Sequence, residues 1–376
     1  MPYKLYPLPA FPVESDMWEE LKNEKRPIVV YGMGNGADKL FDRLDSFGVN
    51  VSEVIASDGF VRGHSFRGYK VRSFSEIKEK YDSFVILLSF ASNREEVIDM
   101  LSEIDKTNDM YVPDMPVAGV EEYFDKDFYN AHYEEIGKAF ESLADEQSRA
   151  IFSLVVNYKL TGRMKYLLSC YSTRDELYSL MPVDKIITTV DAGAYNGDTA
   201  REVKAYFPNL KRIYALEPDR KNFKKLAKYS EAEPGIDIKT INAAAWSENV
   251  GGVFYGSGNR NSTVVATASF EHSKDEVMMV RIDDLTDEKI DYIKYDVEGA
   301  EREALIGSEA VIVRDHPTLL VSLYHRSRDI FELVNFVGET YPEYSLYLRR
   351  LKCLPAWEID LIAVKNDPKG TYDEQT

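Results

Sequence analysis

The sequence predicts an α/β protein with two Rossmann-like units, a small one and then a larger one, joined by a helical connector. Two stretches, beginning at Val29 and at Val190, each run from apolar residues through a glycine-rich turn into a helix-like segment. Strand, glycine loop and helix in this order are typical of α/β proteins that bind nucleotides. Between them, residues 121–162 contain no proline and carry aromatic side chains at helical spacing. The 376 residues have room for about two to three domains of roughly 150 residues each.

Domain boundaries are predicted where the pattern changes. The N-terminal stretch is interrupted by prolines and lacks a continuous apolar segment, so we expect no signal peptide there. The apolar run at 84–91 is too short to span a bilayer, which takes about 20 apolar residues. The predicted units are a leader at 1–25, a small Rossmann-like α/β domain at 26–113, a helical connector at 114–183 and a larger α/β domain at 184–376.

The composition limits the partners of the protein. A formal net charge of −18 disfavours nucleic acids, whose phosphates require basic surfaces, and anionic membranes for the same reason. The two cysteines, Cys170 and Cys353, have no spacing that would build a zinc site or a disulfide framework. We therefore expect a cytoplasmic protein that does not insert into membranes.

The small unit opens with the strand PIVVY and the turn GMGNGA. Apolar residues then recur at helical spacing until Gly48. VNVSEVIAS and FVILLSF read as further strands, and Ser92 with Glu95 predicts a capping box at the start of the next helix. After this unit, the aromatic residues at helical spacing in the connector predict two to four helices with an aromatic core.

The larger unit alternates strands and helices, which predicts a parallel sheet. YSLYLRRL and WEIDLIAV follow each other without a helix between them, so we expect a hairpin added to that sheet. An insertion at 251–270 is rich in glycine, serine and asparagine at its centre, which predicts a mobile loop. The predicted parallel strands are KIITTVD, RIYALE, IKTINAA, IDYIKYD and TLLVSLYH.

A polar residue lies at or near the carboxyl end of each of these five strands. Ligands of a doubly wound sheet lie beyond the carboxyl ends of its strands. One or two acids there could be helix caps, but a purely structural domain has little reason to gather more. We therefore expect a ligand to be surrounded by the residues Asp191, Glu217, Asn242, Asp296 and His325.

The loop VDAGAYNGDT discriminates between two kinds of cofactor. A dinucleotide presents a pyrophosphate, which favours bare amides at a helix N-terminus without nearby acids. Asp191 and Asp198 would repel a pyrophosphate and attract a cation. S-adenosylmethionine carries a sulfonium and an ammonium and no phosphate. Gly193 would let such a ligand approach the backbone, and Glu217 would accept hydrogen bonds from ribose hydroxyls, although NAD proteins also use an acid at this place.

The motifs VDAGAYNGDTA, ALEPD, VRIDDL, YIKYDVEGAE and LYH resemble the FkbM family of S-adenosylmethionine-dependent methyltransferases over about residues 185–365. The resemblance implies a class I methyltransferase fold at 184–376, with a seven-stranded sheet whose last strand is antiparallel. It also implies O-methylation of a hydroxyl on a sugar, a glycan or a polyketide-like molecule. The connector is similar to the segment that precedes the core in members from bacterial surface-polysaccharide gene clusters, which favours a role in polysaccharide biosynthesis. The residues expected at the cofactor are Asp191, Gly193, Ala194, Tyr195, Gly197, Asp198, Thr199, Glu217, Pro218, Asn242 and Ala243.

Three residues at strand ends are candidates for a general base that assists the attacking hydroxyl. His325 can accept a proton at neutral pH without a large shift of its pKa. Asp296 and Glu298, two residues apart on one face, have three alternative roles: the base, an acceptor for the cofactor's ammonium, or ligands of a divalent cation. We do not favour the cation, and we expect Glu301 to be an exposed helix residue.

The glycine-rich segment at 256–263 is a candidate cover for the acceptor. Arg260 and Asn261 would donate hydrogen bonds to the hydroxyls of a sugar. A plain surface loop is the alternative interpretation.

The small unit carries the pattern G-x-G-x-x-A at Gly32, Gly34 and Ala37, which by itself is weak support for nucleotide binding. Asp58 fits a ribose-binding acid and a turn equally well. We expect a structural role or an oligomerisation role for this unit, and only the second would make the protein a homo-oligomer. Nucleotide or nucleotide-sugar binding is the alternative. Two other functions stay open: an NAD(P)-dependent oxidoreductase that uses this loop, and a non-catalytic module that binds a nucleotide or a glycan.

Overall fold

The computed structural model describes residues 7–61, 63–118, 122–255, 263–266 and 276–366. Its N-terminal part contains a six-stranded sheet, the first sheet, with the strand order β3-β4-β2-β1-β5-β6. The elements of this part are α1 (Met17–Asn23), β1 (Ile28–Tyr31), α2 (Asn35–Ser46), β2 (Glu53–Ala56), β3 (Ser65–Phe66), β4 (Tyr69–Ser73), α3 (Phe74–Lys80), β5 (Val85–Leu88), α4 (Glu95–Thr107) and β6 (Asp109–Tyr111).

The first sheet is parallel apart from its short edge strand β3. Strands β1 and β5 are buried along their whole length because helices cover both faces, which explains their uninterrupted apolar sequences. The order of the parallel strands, β4-β2-β1-β5-β6, is that of a doubly wound Rossmann sheet. Its strand order reverses between β1 and β5, which places a ligand crevice there.

Two local features differ from the sequence expectations or add to them. α1 lies within the predicted leader, and its Met17, Trp18 and Leu21 pack into a core cluster with the first sheet. The expected capping box at Ser92 is wrong, because α4 starts after Arg94 without a side-chain cap. Ser92 instead forms an antiparallel bridge with Leu354 in the C-terminal part of the chain.

Between the two sheets, the described residues form five helices, more than the two to four expected. The long helix Glu146–Thr161 is buried on most sides and packs against the strand Tyr344–Arg350 of the C-terminal sheet, where the Leu348 amide donates a hydrogen bond to Ser148 Oγ. One apolar core cluster includes Val29 of the first sheet, Phe152 of this helix and Val190 of the C-terminal sheet. The helices are α5 (Lys126–Ala131), α6 (Tyr133–Ser142), α7 (Glu146–Thr161), α8 (Met164–Leu168) and α9 (Arg174–Tyr178).

The C-terminal part contains a seven-stranded sheet, the second sheet, with the order β16-β17-β15-β14-β7-β8-β9. Of its described strands, β17 alone runs antiparallel to its neighbours. This confirms the predicted seven-stranded class I methyltransferase fold with its hairpin. Its elements are β7 (Thr188–Ala192), α10 (Asp198–Tyr206), β8 (Arg212–Leu216), α11 (Arg220–Ala232), β9 (Asp237–Ile241), β14 (Tyr292–Tyr295), α12 (Glu301–Ile306), α13 (Glu309–Asp315), β15 (Thr318–Ser322), α14 (Asp329–Thr340), β16 (Tyr344–Arg350) and β17 (Ile359–Lys365).

A small third sheet lies between β9 and β14 in sequence, with the order β10-β13-β11-β12. The prediction of a loop at 251–270 is therefore wrong for the residues that pair in β11 and β12. The segment 256–262, with Arg260 and Asn261, lies outside the described residues. The strands are β10 (Ala243–Ala245), β11 (Val250–Tyr255), β12 (Thr263–Ala266) and β13 (Glu276–Val280).

Within the described ranges, no helix is both long and apolar enough to cross a membrane.

Candidate active site

The glycine loop after β7 is shaped by close backbone packing. Gly193 has φ +91°, and a Cβ there would lie 1.9 Å from the carbonyl oxygen of Asp296. A Cβ at Gly197, which has φ +85°, would lie 2.5 Å from the ring of Tyr229. We expected Gly193 to make room for a ligand, and the absence of a side chain there also makes room for the backbone that follows β14. This contact holds the ends of β7 and β14 together, and with them the side chains of Asp191 and Asp296.

Glu217, at the end of β8, reaches back to the glycine loop. Its carboxylate accepts hydrogen bonds from the amides of Tyr195 and Asp219, both at 2.8 Å. Burial raises the pKa of Glu217 to about 8, although these two amides oppose the shift. Asn242 donates its side-chain amide to the carbonyl oxygens of Glu217 and Pro218 at 2.8 and 3.1 Å. Asn242 therefore fixes the turn after β8.

Asp191 is buried beneath the same loop, with 3% of its surface exposed. Neither of its carboxylate oxygens has a hydrogen-bond partner in the described part of the chain. Burial raises its pKa to about 7, and the charge of Lys294, its neighbour across the sheet, limits the rise. The Lys294 ammonium donates to Thr199 Oγ1 at 3.0 Å and to Asp296 Oδ2 at 3.1 Å. Lys294 thus links the first turn of α10 to the end of β14.

The three predicted catalytic residues meet at the ends of β14 and β15. His325 Nε2 lies 3.5 Å from Asp296 Oδ1 and 3.6 Å from Glu298 Oε2. The hydroxyl of Tyr324 donates to Asp296 Oδ1 at 3.0 Å. These side chains lie close together because β14 and β15 pair in parallel, which brings the carboxyl ends of both strands to one edge of the sheet.

Glu301 is a fourth member of this cluster. We expected an exposed helix residue, and this is wrong, because Glu301 is 1% exposed. Its Oε1 accepts a hydrogen bond from the Val297 amide at 2.9 Å and lies 2.9 Å from His325 Nδ1. The sequence spacing put Glu301 one turn after the strand end, but did not show that the helix turns inward.

The protonation of His325 also differs from the expectation. Burial alone would lower its pKa, but the surrounding carboxylates of Glu301, Glu298 and Asp296 outweigh burial and raise the pKa to about 10. Burial would raise the pKa of Asp296, but Lys294 and His325 lower it to about 2. At neutral pH the pair is therefore an imidazolium facing a carboxylate, and His325 has no free lone pair with which to act as a base.

A cavity of about 300 Å³ opens at this edge of the second sheet. Of the catalytic candidates, Asp296 and Glu298 line the cavity, whereas His325 lies behind them. Seven residues predicted at the cofactor also line it: Gly193, Tyr195, Asp198, Thr199, Glu217, Pro218 and Ala243. The other four, which are not part of its lining, are Asp191, Ala194, Gly197 and Asn242.

The cavity wall includes residues that the sequence did not single out. Lys294, Tyr324, Glu358 and Asp360 belong to it. Asp360 is 7% exposed, and burial raises its pKa to about 8. Asn93, from the N-terminal part of the chain, also lines the cavity. A signal existed for Lys294 and Tyr324, which flank Asp296 and His325 in sequence, but none existed for Asp360, because its position depends on how the hairpin pairs.

Backbone strain is concentrated around this cavity. Tyr195, Glu298 and Glu358 have positive φ angles of 47°, 54° and 58°, and all three line the cavity. Non-glycine residues in this conformation cost about 1–3 kcal/mol each and cluster at functional sites. No group of three or more candidate ligand side chains with metal-binding geometry is found in the described ranges.

The glycine loop of the first sheet is arranged differently. A Cβ at Gly32 would lie 2.6 Å from Ser89 Oγ, and one at Gly36 would lie 2.3 Å from the Ser89 carbonyl oxygen. These two glycines therefore permit packing against the chain after β5. Asp58 accepts a hydrogen bond from the Ser75 hydroxyl at 2.6 Å, so its carboxylate fixes a turn beside α3. This geometry gives no support to a dinucleotide-dependent oxidoreductase.

Comparisons with known proteins agree with the fold. The family model described as Methyltransferase FkbM domain matches residues 191–351. The crystal structure of methyltransferase FkbM from Methylobacillus flagellatus KT is 19% identical, with a TM-score of 0.68 and 94% of each chain covered. The shared fold therefore extends beyond the matched domain. No curated protein matches the chain.

Two other solved structures match about half of this chain. Precorrin-6y C5,15-methyltransferase from Geobacter metallireducens is 13% identical, covering 51% of this chain and 87% of its own, with a TM-score of 0.34. Aeropyrum pernix fibrillarin with natively bound S-adenosyl-L-methionine is 16% identical, covering 50% and 74%, with a TM-score of 0.32.

Methyl transfer is the general activity that the family match supports. Residues 191–351 of this chain match the model of the FkbM methyltransferase domain.

Proposed function

We propose that this protein transfers a methyl group from S-adenosylmethionine to a hydroxyl of a sugar, a glycan or a related small molecule. One observation carries the proposal. The same cavity of about 300 Å³ is lined by seven residues predicted at the cofactor and by the candidate catalytic residues Asp296 and Glu298. A cofactor and an acceptor bound there would be neighbours.

The charges around the cavity fit this cofactor, which supplies a methyl group bound to a positively charged sulfur. Asp191 has two unpartnered buried oxygens within the described chain, and a nearby cation would relieve the cost of keeping them ionised. Glu217 uses two backbone amides and keeps acceptor capacity for ribose hydroxyls. Asp191 and Asp198 would oppose a pyrophosphate, whereas Glu217 suits the ribose of either kind of cofactor. The acids at positions 191 and 198 therefore favour a cationic cofactor.

Asp296 is the residue that would receive the acceptor. Its carboxylate is ionised and is held from two sides by Lys294 and the Tyr324 hydroxyl. An acceptor hydroxyl would donate its hydrogen bond to Asp296 or Glu298, and its proton would pass to that carboxylate. The new oxygen–methyl bond would form as the methyl–sulfur bond breaks, with its electron pair left on sulfur in S-adenosylhomocysteine. His325 would act as a positioning cation that keeps the two carboxylates together. Much of the rate would come from fixing the hydroxyl in line with the methyl group.

The polar wall around Asp296 favours a polyhydroxylated acceptor. Asn93, Arg174 and Ser322, which line the same cavity, carry neutral or cationic donors. Amide and hydroxyl groups of this kind hydrogen-bond to sugar hydroxyls. A role in polysaccharide biosynthesis would follow from such a substrate.

The test measures transfer of labelled methyl groups from S-adenosylmethionine to glycans and free sugars. We expect wild type to label an O-linked position, and Asp296→Asn to lose about 10²–10⁴-fold in kcat while a cooperative unfolding transition shows that the variant is still folded. Asp287→Asn, an exposed acid outside the cavity, is the matched control and keeps full activity. Labelling at nitrogen, or full activity in Asp296→Asn, would contradict the proposed chemistry.

A further inference from the structure

A second cavity, of about 500 Å³, lies at the carboxyl end of the first sheet. Its floor includes Leu88 and Ser89 at the end of β5, and one side is formed by Gly34 and Asn35 at the start of α2. The strand order of the first sheet reverses between β1 and β5. Open α/β sheets bind their ligands at this reversal point. Pro355 and Trp357, from the loop between β16 and β17 of the second sheet, also line the cavity.

The two cavities differ in charge. Eight carboxylates line the first cavity: Asp198, Glu202, Glu217, Asp219, Asp296, Glu298, Glu358 and Asp360. None of the described residues that line the second cavity is acidic, although the chain as a whole carries a net charge of −18. Its one charged lining residue within the described chain is Lys39. The second cavity is therefore electrostatically suited to an anion, and the first is not.

Two kinds of hydrogen-bond donor lie at the second cavity. α2 is 12 residues long, and no side chain caps its N-terminus, so the first backbone amides are not used by the helix itself. Lys39 directs its ammonium to the carbonyl oxygens of Pro116 and Val117 at 2.8 and 3.1 Å. An ammonium has three N–H donors, which leaves one for a ligand. Lysine beside a helix N-terminus is a recurrent way to bind phosphate.

The rest of the wall is apolar and in part aromatic. Met33, Phe90, Met115 and Trp357 contribute to it. A cavity of this size holds a small organic molecule, and flat apolar side chains offer stacking surfaces to a base. Asp58, the candidate ribose-binding acid, accepts a hydrogen bond from the Ser75 hydroxyl. The second nucleoside of a dinucleotide would therefore lack a carboxylate to bind its ribose.

From this arrangement we infer that the second cavity binds a mononucleotide. Its phosphates contact the N-terminus of α2 and Lys39, and its base lies against the apolar wall. The inference is independent of the methyl transfer proposed for the first cavity. It also replaces our expectation that the small unit has a purely structural role.

Gly34 provides a sharp test. Its backbone is extended, with φ 179°, and a Cβ there meets no atom within 4 Å. Gly34 lines the cavity, so a side chain at this position is accommodated beside the cavity without strain. Gly34→Glu brings a carboxylate to the phosphate site, whereas Gly34→Gln brings nearly the same volume without charge. Lys39→Met removes the ammonium, and Lys106→Met changes an exposed lysine of α4 outside the cavity.

The experiment is calorimetric titration of the full chain with ADP, UDP, inorganic phosphate and glucose 1-phosphate. We expect saturable binding of at least one nucleotide, tighter than that of inorganic phosphate. Gly34→Glu should weaken it at least about 30-fold, Lys39→Met about tenfold, and Gly34→Gln and Lys106→Met less than about threefold.

Three results would overturn the inference. They are no saturable nucleotide binding, equal nucleotide affinity in Gly34→Glu and Gly34→Gln, and glucose 1-phosphate or inorganic phosphate binding as tightly as the nucleotides. Binding of S-adenosylhomocysteine to each variant is measured in parallel. Because Gly34 and Lys39 do not line the first cavity, unchanged affinity there shows that a variant is folded and keeps the two proposals separable.

Discussion

At the scale of single residues, His325 shows how burial changes a role that the sequence predicts. The sequence placed it correctly at the end of a strand beside Asp296 and Glu298. It did not reveal that Glu301 faces the other ring nitrogen at 2.9 Å. Three carboxylates around one buried imidazole make the cation its stable form. A side chain's position could thus be predicted from sequence, but its charge depends on neighbours that only the folded chain brings together.

This charge predicts how stability depends on pH. The usual pKa of histidine is about 6.5, and the folded-state value for His325 is about 10. A group whose pKa is higher in the folded than in the unfolded state stabilises the fold when it is protonated. The stabilisation is complete below the unfolded-state pKa and is lost as the pH rises through the folded-state pKa. We expect wild type to exceed His325→Gln in free energy of unfolding by about 3 kcal/mol at about pH 6, with a difference that shrinks steadily towards pH 10.

Urea unfolding at a series of pH values measures this difference. His64→Gln is the control, because His64 is exposed and its substitution should change the free energy of unfolding little at any pH. A gap between wild type and His325→Gln that stays constant across the range would show that His325 is not held as a cation.

At the scale of elements, the strands and glycine loops could be predicted from the sequence. The packing contacts that require a glycine at a particular position could not. The run of apolar residues before VDAGAYNGDT predicted β7, and helical spacing after it predicted α10. The close approach of the Asp296 carbonyl to Gly193 depends on the pairing of β7 with β14, which lie about 100 residues apart in sequence. The third sheet was missed for a related reason, since the glycine- and serine-rich centre of the insertion concealed two paired strands.

Two glycines with similar backbone angles test the packing at Gly193. Gly193 and Gly235 have φ +91° and +93°, but a Cβ at Gly235 meets nothing within 4 Å. Gly235→Ala therefore carries the conformational cost alone, about 1–2 kcal/mol. Gly193→Ala adds a backbone clash and should lower the free energy of unfolding by about 3 kcal/mol or more. Equal losses in the two variants, measured by urea unfolding, would refute the close approach.

At the scale of the whole molecule, each half of the chain completes a cavity of the other. Asn93 of the N-terminal part lines the first cavity, and Pro355 and Trp357 of the C-terminal part line the second. The bridge between Ser92 and Leu354 joins the two halves beside both cavities. Sequence patterns predicted two Rossmann-like units separately, because periodicity is local. They could not predict which residues of one unit reach the site of the other.

The central claim, that the first cavity binds S-adenosylmethionine, is tested most directly by calorimetric titration with S-adenosylhomocysteine. We predict saturable binding at one site per chain in wild type. Glu217→Ala, which removes the predicted ribose acceptor, should weaken binding about 10- to 100-fold, while Gly34→Glu, outside this cavity, should bind as wild type does. No binding to wild type, or equal affinity in Glu217→Ala, would contradict the account.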